Sequence, residues 1–161
     1  MKKYTRLLRF VLWFLVLAWM AVIFCFSMEN ADESSSTSGA VIRWLLERFD
    51  KGFPALSPVE QFAKIEEWSF AVRKLAHFLI FTVLGLLAAA AFSVDLGTKE
   101  AFLAALALGI VYASADEIHQ AFVPGRACQL RDVLIDASGV LLGSGCFTLI
   151  RHLRACRKPH R

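Results

Sequence analysis

Charge is missing from long stretches of this chain. Phe10–Ser27, Leu75–Phe92 and Ala101–Ala115 contain no Asp, Glu, Lys or Arg, and Val133–Ile150 contains only Asp136. Such runs exclude an ordinary soluble bundle, whose helices would carry a polar face. Eighteen helical residues reach about 27 Å, close to the roughly 30 Å of a bilayer's hydrocarbon core. The third run is shorter, and Tyr112–Phe122 can extend it. Apolar residues make up 57% of the chain, above the roughly 45–50% of soluble domains. The sequence therefore predicts an all-α fold of four transmembrane helices, and 161 residues leave no room for a second large core.

Other absences narrow the chemistry. The four cysteines, Cys25, Cys128, Cys146 and Cys156, form no C-x-x-C and no metal-ligand spacing. Cys128 alone falls in a loop outside the membrane. Cys25 is the one cysteine near enough in depth to pair with it, and spacing alone does not argue for that bond. No H-E-x-x-H places two imidazoles on one metal. No cofactor and no metal is read from the sequence. "CFSMENADE" offers no small-x-small cleavage site, so the basic leader "MKKYTRLLR" and the first run read as an uncleaved anchor. No internal repeat stands out.

What charge there is lies unevenly. With both termini on one side, that side holds ten cations and two acids, Asp95 and Glu100, and the other holds eight cations and twelve acids. The Lys/Arg excess marks the cytoplasmic side. The expectation is a multi-pass protein of the cell membrane with both termini in the cytoplasm. The net charge of +4 then reports topology, and no nucleic-acid partner is inferred from it.

Four segments follow. Residues 1–28 are a transmembrane anchor and 29–70 an extracytoplasmic amphipathic segment. Residues 71–151 are a three-helix transmembrane core, and 152–161 a basic cytoplasmic tail. Within the second segment, "MENADESSSTSG" reads as a polar link with no means of burying itself. In "VIRWLLERF", Val41, Ile42, Leu45, Leu46 and Phe49 recur at helical spacing. That helix fits the membrane's outer surface, with Trp44 at headgroup level, or a small cap packed on the bundle. Ser57, Pro58 and Glu60 then mark a helix start, with a Ser cap, Pro at the first position and Glu three residues after the cap. The short loop "SVDLGTKE" makes the second and third spans an antiparallel hairpin.

The polar residues concentrate where "SADEIHQAFVPGR" ends the third span. In this topology Arg73–His77, Asp116–Gln120, Pro124–Arg126 and Arg131–Asp136 share one depth at the outer face. Arg73 and His77 share a helix face; so do Asp116, His119 and Gln120, with Tyr112 one turn deeper, and so do Asp132 and Asp136. Asp136 lies a turn inside the membrane, where a lone carboxylate is expensive and faces the interior with a partner. Gly139 and Gly143 continue its stripe as a small-residue packing interface.

The stretches "RKLAHFLIFTVLG" and "YASADEIHQAFVPGRACQLRDVLIDASGVLLG" resemble the VanZ-like family of small bacterial membrane proteins. The pattern covers Lys74, His77, Phe78, Asp116, Glu117, Gln120, Phe122, Arg126, Asp132 and Gly139. The resemblance spans roughly 73–143, and the first 70 residues read as particular to this chain. Two positions depart from the pattern: Phe81 stands where tyrosine is common, and Asp136 where asparagine is common. The resemblance implies a cell-envelope role connected with resistance to the glycopeptide teicoplanin.

Three function classes are consistent with these residues. One is an envelope protein that alters how glycopeptides or cell-wall precursors meet the outer leaflet. Another is an intramembrane enzyme on a phosphorylated lipid or polyprenyl headgroup, with His77, Asp116 and Glu117 as acid/base or metal groups and Lys74 and Arg126 on phosphate. In the third, a structural or transport bundle, the charges only pair with one another. Lys74, Gln120, Arg126, Asp132 and Asp136 are the binding candidates, for an anionic headgroup or as a polar network. Arg126, after the Pro124–Gly125 turn, is either neutralised by Asp132 or, with Lys74, clamps phosphate bidentately. The partners implied are membrane lipids and an anionic lipid-linked cell-wall precursor or a glycopeptide.

Overall fold

The computed structural model describes residues 2–156, with side chains from Tyr4 onward except those of 31–35. The end of the basic tail, 157–161, lies outside the described residues. Five α-helices follow one another: α1 Lys2–Ser27, α2 Ala31–Phe49, α3 Pro58–Phe92, α4 Thr98–Gln120 and α5 Leu130–Cys156. No strand occurs among the described residues. Helices α1, α3, α4 and α5 are each long and apolar enough to cross a membrane. The protein is an all-α, multi-pass membrane protein.

Helix α3 starts where its capping residues dictate. The Glu60 N–H donates to Ser57 Oγ at 3.4 Å, and the Ser57 N–H donates back to the Glu60 carboxylate at 2.8 Å. From there it runs unbroken for 35 residues, a length of about 52 Å. Roughly 20 Å of it must therefore project beyond a 30 Å hydrocarbon core. Helix α2 packs on that projection, with Ile42, Phe53 and Ile65 buried together.

The Ser-rich stretch expected to be a free link is instead the first half of α2. Ile42 and Leu46, docked on α3, nucleate the helix, and propagation back through Ala40 and Ser38 adds one hydrogen bond per residue fixed. Gly39 faces Ile65 across this contact, where a Cβ would reach ordinary van der Waals distance, 3.5 Å. Val41, Trp44 and Phe49 stay exposed. Beside α2, Lys64 pairs with Asp50. With the Gly52 N–H also donating to Asp50, that carboxyl is held below its usual range.

In the bundle, α3 and α5 cross with almost no space between their backbones. Gly139 and Gly143 on α5 lie against the carbonyls of Phe78 and Thr82, and Gly85 on α3 lies against that of Val140. Lipid tails are as apolar as side chains, so close backbone packing replaces the hydrophobic effect as the source of helix association. Val16, Ile23, Phe81, Leu84, Ala113 and Val140 fill the space between α1, α3, α4 and α5. All four cysteines are free, so Cys25 and Cys128 are not joined.

Candidate functional site

One end of the bundle, where α1 and α4 finish and α5 begins, gathers the polar side chains. Helix α3 supplies Arg73 and Lys74 from one turn and His77 from the next. The end of α4 supplies Asp116, Glu117 and Gln120, and the first turns of α5 supply Asp132 and Asp136. The chain between α4 and α5 turns at Gly125, whose φ of 76° suits a residue without a Cβ. That turn brings Arg126 back over the same place.

These residues enclose a cavity of about 210 Å³. Seven of the eight candidate residues line it: Lys74, His77, Glu117, Gln120, Arg126, Asp132 and Asp136. The eighth, Asp116, lies behind the lining, bound by Ser27 Oγ at 2.8 Å and by the Gln120 side-chain amide at 2.9 Å. Glu117 is 1% exposed and accepts the Gln129 N–H at 2.9 Å.

Charge is distributed differently from the sequence expectation. Lys74, not Arg126, pairs directly with Asp132. Lys74 lines the cavity with its charge met by Asp132, and Arg73 lines it beside Arg126. Neither guanidinium has a carboxylate within ion-pair distance among the described residues, and both line the cavity. Burial lowers the affinity of Arg126 for its proton, and Arg73 lowers it further; Glu29, Asp116 and Glu117 act in the opposite sense. A guanidinium stays protonated under such perturbations, so its charge remains available to a ligand.

His77 Nδ1 stands 3.7 Å from Asp136 Oδ1. His119 does not join the cluster, and its ring lies against Phe24 with centroids 4.8 Å apart. The Tyr112 hydroxyl donates to the Met20 carbonyl at 2.6 Å, tying α4 to α1. Two participants were missed by the sequence reading, Ser27 and the Gln129 N–H. Ser27 was within reach, because it is the polar residue ending the first span at the depth of the cluster. A backbone donor such as Gln129 leaves no signal in residue identity.

A second cavity, of about 220 Å³, opens beside the first between α1, α2 and α3. Phe26, Val41, Val72 and Ile80 supply most of its apolar surface, and Arg73, His77 and Arg126 are common to both cavities. An apolar groove thus ends at two guanidinium groups, and a carboxylate-rich pocket lies past them.

Neither a curated protein nor a solved structure matches this chain. A protein family does: VanZ/LLP1 matches over residues 12–151. The match begins far ahead of Arg73, so α1 and α2 are not particular to this chain as its motifs alone suggested. They are part of the unit that the family shares. With α3 and α4 and most of α1 and α5 inside the matched region, the chain belongs to the VanZ/LLP1 family.

Proposed function

We propose that this VanZ-type membrane protein binds the anionic headgroup of a lipid or lipid-linked cell-wall precursor at the outer face of the cell membrane, and so influences glycopeptide susceptibility. One observation carries the reading: Arg73 and Arg126 line the polar cavity with no carboxylate at ion-pair distance among the described residues, at the end of an apolar groove. A guanidinium presents paired N–H donors that match two oxygens of a phosphate. The groove offers an acyl or polyprenyl chain a place to lie. The excess of Lys and Arg on the side of the termini supports the outer location.

The test is lipid retention by purified protein. Wild type reconstituted from mixed vesicles should retain phosphatidylglycerol over phosphatidylcholine, read by mass spectrometry of the co-purified lipid. Arg126→Lys keeps the charge and loses the fork; it should leave protein levels normal and reduce retention by about tenfold, equivalent to roughly 1.4 kcal/mol. Equal retention of both lipids by wild type would refute the reading. In cells, the same variant should lose any teicoplanin tolerance that wild type confers.

The enzyme reading has one observation in its favour, since His77 and Glu117 line the same cavity as the arginines. It requires that His77→Ala and Glu117→Gln be stable and abolish turnover of a phosphorylated lipid. Stable, fully active variants would leave binding alone.

Orientation has its own check. In a cysteine-free background, single cysteines at Ser36, Thr98 and Arg161 are exposed to an impermeant thiol reagent on intact cells. Only Ser36 should react. Labelling at Arg161 from outside would move the whole cluster to the cytoplasmic face.

A further inference from the structure

Beneath the two arginines, three side chains from three helices converge with too few donors to satisfy them. Asp136 of α5 is 1% exposed, and neither of its carboxylate oxygens has a hydrogen-bond partner among the described residues. His77 Nδ1 lies 3.7 Å from its Oδ1, beyond hydrogen-bond range. Asp116 of α4 is 4% exposed; its Oδ2 accepts from both Ser27 and Gln120, and its Oδ1 has no partner among the described residues. A buried carboxylate with neither a counter-charge nor a donor is costly. The nearby cations do not meet that cost. Lys74 is held by Asp132, and among the described residues neither Arg73 nor Arg126 forms an ion pair with Asp116 or Asp136.

One ligand atom from each of His77, Asp116 and Asp136 lies within 4.8 Å of the other two. Around a divalent ion with bonds of about 2.0–2.2 Å, neighbouring donors stand ~3–4 Å apart. Side-chain rotation closes that difference. The three residues come from α3, α4 and α5; the glycine crossing packs α3 against α5, and Gly109 of α4 lies against the Val140 side chain of α5, so the donor set is positioned by the core of the bundle.

We propose that His77, Asp116 and Asp136 bind one divalent transition-metal cation. One imidazole with two carboxylates is a donor set suited to Mn²⁺ or Zn²⁺. Three protein ligands leave at least one coordination position open. His77 and Asp136 both line the cavity, so that position faces the space into which Arg73 and Arg126 also point their charge. The ion supplies the positive charge that the floor lacks. This site goes beyond the headgroup reading and stands without it.

The test uses full-length protein in detergent, stripped with a chelator and dialysed against Mn²⁺ or Zn²⁺. Elemental analysis should find one ion per chain in wild type. Titration calorimetry should show binding weakened more than about tenfold in Asp136→Asn and His77→Ala. Asp50→Asn, remote from the cavity, should bind as wild type does. If a ligand variant fails to fold, wild type still decides the matter. Electron spin-echo spectroscopy of its Mn²⁺ form should show coupling to one imidazole nitrogen. Wild type that holds less than one ion, or an ion without nitrogen coupling, overturns the proposal and leaves a protonated Asp136 as the account of its burial. Lipid retention measured on the stripped protein separates the two readings, since loss of metal binding with lipid retention intact refutes only the metal site.

Discussion

Gly143→Ala is expected to remove most of the folded protein from the membrane. A Cβ at that position would stand 1.8 Å from the Thr82 carbonyl oxygen and 2.8 Å from the Leu86 nitrogen. Both are backbone atoms of α3, so no rotamer change relieves the clash and the two helices must separate. Separation loosens the neighbouring crossings too, at Gly139 against Phe78 and Gly85 against Val140. Overpacking a core typically costs about 1–3 kcal/mol, and a backbone clash at the tightest crossing belongs at or above the top of that range. Against a total stability of about 5–15 kcal/mol that is a large fraction. Fluorescence-detected size exclusion of membrane extracts should show the monodisperse peak fall several-fold. Gly145→Ala is the matched control, because nothing lies within 4 Å of its added Cβ. Wild-type levels for Gly143→Ala would mean that α3 and α5 do not cross at Thr82.

Lys74→Ala carries the second large effect. Lys74 and Asp132 are paired with side chains only 25% and 11% exposed. Asp132 also shares its cavity with Glu117 and Asp136. Truncating one partner of a buried pair costs about 3–5 kcal/mol because the other charge is left uncompensated. The partial exposure of Lys74 places this case near 3 kcal/mol. Removing both partners should recover much of the loss, so a double-mutant cycle with Asp132→Ala, read as thermal stability in detergent, should show coupling well above 1 kcal/mol. Additive losses would mean that the pair is not formed in solution. Loss of function in Lys74→Ala accordingly reports stability first, and Arg126→Lys is the variant that reports on the site.

The four spans were legible because each rests on a continuous property, the absence of charge over a membrane's thickness. The start of α3 was legible for a different reason: Ser57, Pro58 and Glu60 each satisfy a specific backbone requirement of a first helical turn. The Ser-rich half of α2 was not, because composition registers what a segment can bury and not what neighbouring helix can propagate into it. Depth along the membrane was readable from span order, and it brought seven of eight candidates to one cavity. Partner choice within that depth was not. Whether Lys74 or Arg126 reaches Asp132 depends on how α3 and α5 are rotated about their axes, and that rotation is set by glycine contacts whose partners lie on another helix. The same limit hid Ser27, whose pairing with Asp116 spans 89 positions in the chain.

Helix α1 has a consequence for how the protein is made. Only 17% of its span is buried, the least of the four, and it contains no glycine with which to approach another backbone. It is held instead by side chains: Trp19 donating to the Ile80 carbonyl, Tyr112 donating to the Met20 carbonyl, and Ser27 donating to Asp116. Those partners lie 61, 92 and 89 positions later in the chain. At about 5–20 residues per second of synthesis, α1 waits ~5–20 s after emerging before the last of them exists. During that interval the Trp19 indole and the Ser27 hydroxyl have only lipid and interfacial water for company. Helix α1 therefore pairs its polar side chains only once α3 and α4 have followed it into the membrane.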